Sequence, residues 1–323
     1  MSAPRVVLHR FAEVRAALRC ADLAAPGVTV PHDQSHRVVR HSVREQASTA
    51  SLLALRDPFV SQLCMLLAAP RTSSPWCFVA NVAVPWAFAV TGQLMHLTPA
   101  CVQGGAALAA HLFESAAHSA NGDSTPEALA AAGALYQMLT RDARLRSAHG
   151  AANAAAVQTF VALTQSLPAL LASAMHALLL HTEQYTWLRG HHHTTLAAAA
   201  HELLRFATPT RAVYRRALRD TVVGEHTIAT NTLIVLQLAA ANRDPAHFTN
   251  PDTLQLAAGR AGHVSFGGGP HQCSGAMLVH TLLDCALEAL ATSPVALALA
   301  GPVSWLDGVA LSAPTQLTVT ASR

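Results

Sequence analysis

Lysine is absent, so all 21 basic residues are arginine. GC-rich codon usage accounts for that bias without an appeal to function. Charge of either sign is scarce: charged residues make up 12% of the 323, and the formal net charge is +3. So small a charge argues against a nucleic-acid partner. The six cysteines (Cys20, Cys64, Cys77, Cys101, Cys273 and Cys285) form no CxxC pair and no dense framework. That excludes a disulfide-stapled fold and points to free thiols in a reducing cytoplasm. The opening residues are polar and basic, so neither a signal peptide nor a membrane anchor is expected. The longest apolar run, residues 161–180, is interrupted by Thr164, Gln165, Ser166, Pro168, Ser173 and His176. It reads as a buried central helix and not as a membrane span.

Hydrophobic residues are plentiful, at 51% of the chain. That is enough for a substantial core in one large domain or two. Alanine-rich helical patterns outnumber β-branched runs, so the fold class is mainly α with some β. The most informative stretch is 266–275, FGGGPHQCSG. Glycine lets backbone approach a bulky group, and proline stiffens the loop. The cysteine precedes an apolar, helix-competent run, and the positive end of a helix dipole favours its thiolate. Loop, thiolate and helix terminus together suit one strong metal ligand, and haem iron is the commonest metal held by a lone cysteine. A glycine-rich turn before a core helix, with a structural cysteine, is the plainer alternative.

The spacing Phe-x-x-Gly-x-x-x-Cys-x-Gly, filled by Phe266, Gly269, Cys273 and Gly275, resembles the haem-ligand loop of the cytochrome P450 family. The resemblance implies a helical fold with small peripheral β-sheets around haem b, with Cys273 as axial thiolate. It implies one haem domain over residues 1–323, shortened at the N-terminal end, with a short loop near residues 20–33 and compressed lid helices. His36 and Arg40 are i and i+4 on one helical face; in the family such a pair meets a haem propionate. Arg215 and His271 fall where further propionate contacts occur. Glu202 and Arg205 resemble the family's Glu-x-x-Arg pair, a buried brace of the haem-side core. Thr253 stands where the family carries an arginine completing that brace, and Arg260 is a candidate replacement.

The distal-helix motif departs from the family pattern. Where Ala-Gly-x-acid-Thr is usual, the chain reads Ala162-Leu163-Thr164-Gln165-Ser166. Gln165 cannot exchange a proton as a carboxylate does, Ser166 replaces the alcohol, and Leu163 is expected to crowd the oxygen site. Pro168 is expected to kink the helix. Arg211 sits where the resemblance puts substrate-facing side chains and suggests an anionic substrate; a solvent or propionate contact is equally consistent. Ser274 offers a hydroxyl beside the thiolate. The triplet His191–His193 reads as a solvated loop. The implied function is a cytoplasmic haem-thiolate oxidoreductase tailoring a small molecule. Its electrons would come from ferredoxin and ferredoxin reductase, docking near Arg37 and Arg44, or its oxidant would be peroxide. The alternative is a degenerate haem-binding or scaffold protein without turnover.

Overall fold

The computed structural model describes residues 4–26, 49–69, 75–141, 150–191 and 196–322. Strand β1 (Arg5–Leu8) leads into helix α1 (Phe11–Arg19), whose buried side chains Phe11, Val14, Ala17 and Leu18 form one helical face. The first N–H of α1 has no partner within the helix. Asp244 supplies one from far along the chain, with Phe11 N–H donating to its Oδ2 at 2.7 Å. After β2 (Leu23–Ala24) come α2 (Thr49–Ala68), β3 (Trp76–Cys77), α3 (Val84–Met95), α4 (Pro99–His118) and α5 (Pro126–Arg141). Thr125 caps α5, accepting from Ala128 N–H at 3.2 Å.

The centre of the molecule is α6 (Gly150–Val161), a π-helical turn (Ala162–Ser166) and α7 (Leu167–Leu180). Twelve of the 14 residues of α7 are buried, leaving only His176 and Leu180 partly open. A helix apolar on every side has to be interior. Among the described residues, Ala155–Leu180 is the one helix long and apolar enough to cross a membrane, and 78% of its most apolar window is buried inside the fold. The π turn answers the expectation of a proline kink. Pro168 has no N–H to give the Thr164 carbonyl, and the ladder widens so that Leu167 N–H reaches Ala162 O. The same device recurs at 79–83, where Val84 N–H, just before Pro85, reaches Val79 O.

Helices α8 (Thr182–Gly190) and α9 (Leu196–Phe206) follow, then β4 (Ala212–Ala217), β5 (Thr221–Val223), β6 (His226–Ile228), β7 (Leu233–Gln237) and the short α10 (Leu238–Ala241). The alternating stretch 221–238 reads from sequence as one hairpin, but it divides. β5 and β6 pair with each other, whereas β7 joins the sheet β1-β7-β4-β2. Turn chemistry explains the split, because Asn231 takes a positive φ (67°) and redirects the chain before β7. Last come α11 (Ala276–Thr292), β8 (Ala296–Asp307) and β9 (Ser312–Ser322), with β9 between β3 and β8 in the second sheet. Helix α11 packs on α2, α8 and α9. Every cysteine among the described residues is a free thiol, as its spacing suggested.

Candidate functional site

The loop before α11 is shaped by its glycines and moulded on α1. Gly267 and Gly269 have φ of 67° and 61°, the left-handed region. A Cβ on Gly269 would fall on the Leu18 carbonyl oxygen in the last turn of α1. Cys273 N–H donates to Phe266 O at 2.8 Å, and Gln272 N–H donates to Gly269 O at 3.1 Å, closing a turn that holds the thiol at the entry of α11. Cys273 is exposed, in contrast to Cys285 on the same helix, which is fully buried with its thiol pushed up to about 12 by burial. Phe266 is half-buried against the main core, and His271 is half-buried in the short 3-10 turn Gly269–His271. A side chain at Gly275 would stand 4.0 Å from the Cys273 sulfur, so the glycine keeps the space beside the thiol clear.

Arg215 projects from β4 and is 5% exposed. Its Nη1 donates to Tyr214 O at 2.8 Å, but among the described residues no carboxylate lies within ion-pair distance. Burial alone pulls its guanidinium down to about 10. A buried cation without a counter-ion is costly, and a bound anion relieves that cost.

The brace beneath the loop is fully buried. Arg205 Nε and Nη2 donate to both Glu202 oxygens at 2.9 and 2.8 Å, and Nη1 donates to the carbonyls of Asn242 and Pro251, each at 2.8 Å. Both side chains are 0% exposed. Thr253 contributes only its backbone carbonyl, 3.4 Å from Arg205 Nη2. Arg260 supplies the second cation, with Nη1 3.8 Å from Glu202 Oε1, so the network is completed from a different position in the chain.

Along the central helix, Gln158 and Ala162 are exposed and Gln165 and Ser166 are half-exposed, whereas Leu163, Thr164 and Leu167 are buried. The four open residues follow helical spacing and make a strip on one face. Gln165 turns its amide away to α4, where Nε2 donates to Ala106 O at 3.2 Å. Thr164 returns its hydroxyl to Phe160 O at 2.7 Å, and Ser166 makes no capping bond. The expected crowding by Leu163 is corrected: it is 4% exposed and packs in the core beside Phe160 and Leu167, while the small Ala162 occupies the strip.

Arg211 is partly exposed, in keeping with the solvent contact that the sequence left open. Its Nη1 pairs with Asp307 Oδ1 at 2.6 Å and donates to Gly308 O at 3.3 Å, on the turn between β8 and β9. His36, Arg40, Arg37 and Arg44 lie outside the described residues, as do His192 and His193; His191 stacks on Trp187 with centroids 4.4 Å apart. An open polar cleft of about 510 Å³ between α4 and α5, lined by His111, Glu114 and Glu127, shares no residue with the cysteine loop. Sequence reasoning missed one cluster, His201, His263 and His280, whose members come from three separate segments. Spacing along the chain gives no sign of them.

Comparison with known proteins places this geometry. The Cytochrome P450 family model matches residues 179–290, the stretch that holds the Glu202–Arg205 brace, Arg215 and the cysteine loop. Nocardicin C N-oxygenase of Nocardia uniformis subsp. tsuyamanensis is 36% identical over 161 residues, 48% of this chain and 40% of that protein. The biotin biosynthesis cytochrome P450 of Bacillus subtilis (strain 168) is 36% identical over 121 residues, 38% of this chain and 30% of that protein. These matches thus span less than half the length of the curated relatives. The structure superposes on ligand-free Mycobacterium smegmatis CYP164A2 with a TM-score of 0.83 at 22% identity, covering 98% of this chain and 90% of that one. It also superposes on P450BioI in complex with hexadec-9Z-enoic acid ligated acyl carrier protein, with a TM-score of 0.83 at 21% identity, covering 98% and 92%. The fold is therefore that of these two structures, mainly helical with small peripheral sheets. Residues 179–290 thus match the cytochrome P450 family in sequence, and the described residues share the fold of cytochrome P450 structures. Members of that family bind haem through a cysteine thiolate. The residues present fit that group: among the described residues, the Cys273 thiol is exposed at a helix entry, the buried Arg215 has no carboxylate within ion-pair distance, and a strip of the central helix is open.

Proposed function

We propose that this protein is a haem-thiolate oxidoreductase that oxidises a small organic molecule in a biosynthetic pathway. The observation that carries the reading is the pairing of an exposed Cys273 with a buried Arg215 that has no counter-ion among the described residues. Bound haem supplies redox-active iron for oxygen insertion. Cys273 would hold the haem iron, its thiolate favoured at the start of α11 and its loop fixed by the bond to Phe266 O. Arg215 takes a propionate, with His271, and with His36 and Arg40 as further contacts expected from the sequence. Phe266 and Gly275 shape the space around the thiolate. Gln165, Ser166 and Leu163 are proposed to govern the distal side in unequal ways. Ser166 is the hydroxyl available to hydrogen-bond there, Gln165 is held by Ala106 and has no group that acts as an acid or base near neutral pH, and Leu163 acts only by packing.

Names of relatives such as Nocardicin C N-oxygenase and 20-oxo-5-O-mycaminosyltylactone 23-monooxygenase support oxygenation of a small molecule as the reaction class. Ferredoxin with its reductase is the proposed electron source. Peroxide is the alternative oxidant, favoured by the missing carboxylate at 165, because it brings its own electrons and protons. The tethering of Gln165 to α4 also favours the second reading, a haem-binding protein without turnover.

The test is a reduced carbon monoxide difference spectrum of haem-loaded protein, with Cys273→Ala as control. A thiolate-type Soret band, lost in the variant, is the expected result. Haem bound without that band overturns Cys273 as the ligand. Substrate oxidation driven by ferredoxin or by peroxide then separates the two oxidants, and a good band with neither activity supports the second reading.

A further inference from the structure

We propose that His201, His263 and His280 form a three-imidazole site for a divalent transition metal ion, zinc being the best match, on the α11 side of Phe266. The three come from different segments: His201 from α9 beside Glu202, His263 from the loop before the glycines, and His280 from α11, seven residues after Cys273. One nitrogen from each lies within 4.8 Å of the others. His201 Nδ1 and His263 Nε2 are already 3.5 Å apart. Two imidazoles on one tetrahedral zinc, with bonds of about 2.0–2.1 Å, have nitrogens about 3.3 Å apart, so this pair needs almost no movement. The ring centroids of His201 and His280 are 4.4 Å apart, and a rotation of the partly exposed His280 ring brings in the third ligand.

Three features distinguish the cluster from ordinary core histidines. All three are only half-buried, so an ion and a fourth, water ligand can enter. Open coordination of this kind is what three-histidine zinc sites show. Their mutual polar bonding is thin, consisting of the 3.5 Å contact and a long one in which Ser265 N–H donates to His263 Nδ1 at 3.4 Å. Binding through His263 Nε2 moves that ring's proton to Nδ1 and gives up these two long contacts. Burial and the neighbouring histidines also hold the rings neutral, His263 pulled down to about 3 and His280 to about 4, so their lone pairs are free at neutral pH. A metal must otherwise compete with protons for these nitrogens.

The ion would fasten three parts of the haem-side framework. His201 immediately precedes the Glu202 of the buried brace, while His263 and His280 flank Phe266 at ring distances of 5.8 and 5.2 Å. The proposal does not depend on haem ligation or turnover, because the zinc content of the protein is read directly.

The experiment uses tag-free holoprotein, stripped with a chelator and titrated calorimetrically with zinc chloride, followed by dialysis and elemental analysis. One tightly held zinc per chain is expected, with affinity roughly 100-fold lower in His280→Gln and in His201→Gln. Both variants should keep the carbon monoxide spectrum of the parent. Equal zinc affinity in parent and variants, or no zinc retained by the parent, overturns the site. Should either variant fold poorly, X-ray absorption at the zinc edge of the parent decides. Three nitrogen scatterers at about 2.0 Å support the assignment, and a sulfur shell at about 2.3 Å overturns it in favour of cysteine.

Discussion

Arg215 holds its charge inside the protein with a single carbonyl as partner, and that position sets two opposite effects of removing it. Arg215→Met deletes a buried, uncompensated cation, so the haem-free protein is expected to be more stable, by about 1 kcal/mol or more. The same change removes the group offered to a propionate, so haem affinity is expected to fall roughly 10- to 100-fold, the worth of a charge-assisted hydrogen bond. Thermal melts of the haem-free form and a haem titration check both halves; a fall in both would mean that Arg215 has a structural partner. Gln165 gives a second residue-scale prediction. Its Nε2 donates to Ala106 O, and an ionised glutamate there would face a carbonyl with no proton to offer. Gln165→Glu is expected to cost about 1–3 kcal/mol at neutral pH. The loss should shrink in acid, where the carboxyl regains a proton and can donate. Urea titrations at two pH values measure it.

At the scale of elements, the Glu202–Arg205 pair ties α9 to the chain between 242 and 255. Arg205 spends its donors on Glu202 and on carbonyls of Asn242, Pro251 and Thr253, so Arg205→Ala is expected to cost about 3–5 kcal/mol by stranding Glu202. Arg260 reaches Glu202 only at 3.8 Å, and Arg260→Ala should cost about 1 kcal/mol or less. Denaturant midpoints of the two variants make the comparison. The brace was legible because an i, i+3 acid–base pair is local and the cysteine loop announces its context. Arg260 was legible only as a candidate, since the chain had to fold before its reach was known. The central helix was legible from its apolar run, but the π turn was not: Pro168 signals a disturbed ladder without saying whether it bends or widens. Arg211's partner Asp307 was not legible because it lies about a hundred residues on, at the end of β8. The three histidines were invisible because 201, 263 and 280 share no period.

Over the whole molecule, buried titratable groups work against one another. Asp284 on α11 has a buried carboxyl oxygen, Oδ1, without a hydrogen-bond partner, and burial pushes its carboxyl up to about 6. Between about 4 and 6 the folded chain therefore holds more protons than the unfolded one, and stability falls as pH rises through that window. Asp284→Asn is expected to raise the melting temperature at pH 8, with the gain fading as pH approaches about 4. His263 and His280 act in the opposite direction. Their values, about 3 and 4 against an ordinary 6.5, make the metal-free protein lose stability as pH drops below 6.5. The two windows overlap, so the effects partly cancel: melting temperatures of the metal-free protein should rise with pH to about 6.5 and then level, and His280→Gln should flatten the rise.

The contact between Gly269 and the last turn of α1 has a consequence for how the protein would fail. Helix α1 is the surface on which the cysteine loop is cast, although more than 240 residues separate them. Damage to α1, such as Leu18→Asp, would spoil the loop without touching the long central helix or the α2–α11 packing. Such a protein would keep its helical circular dichroism and lose its colour, which makes pigmentation a gauge of the integrity of its first twenty residues.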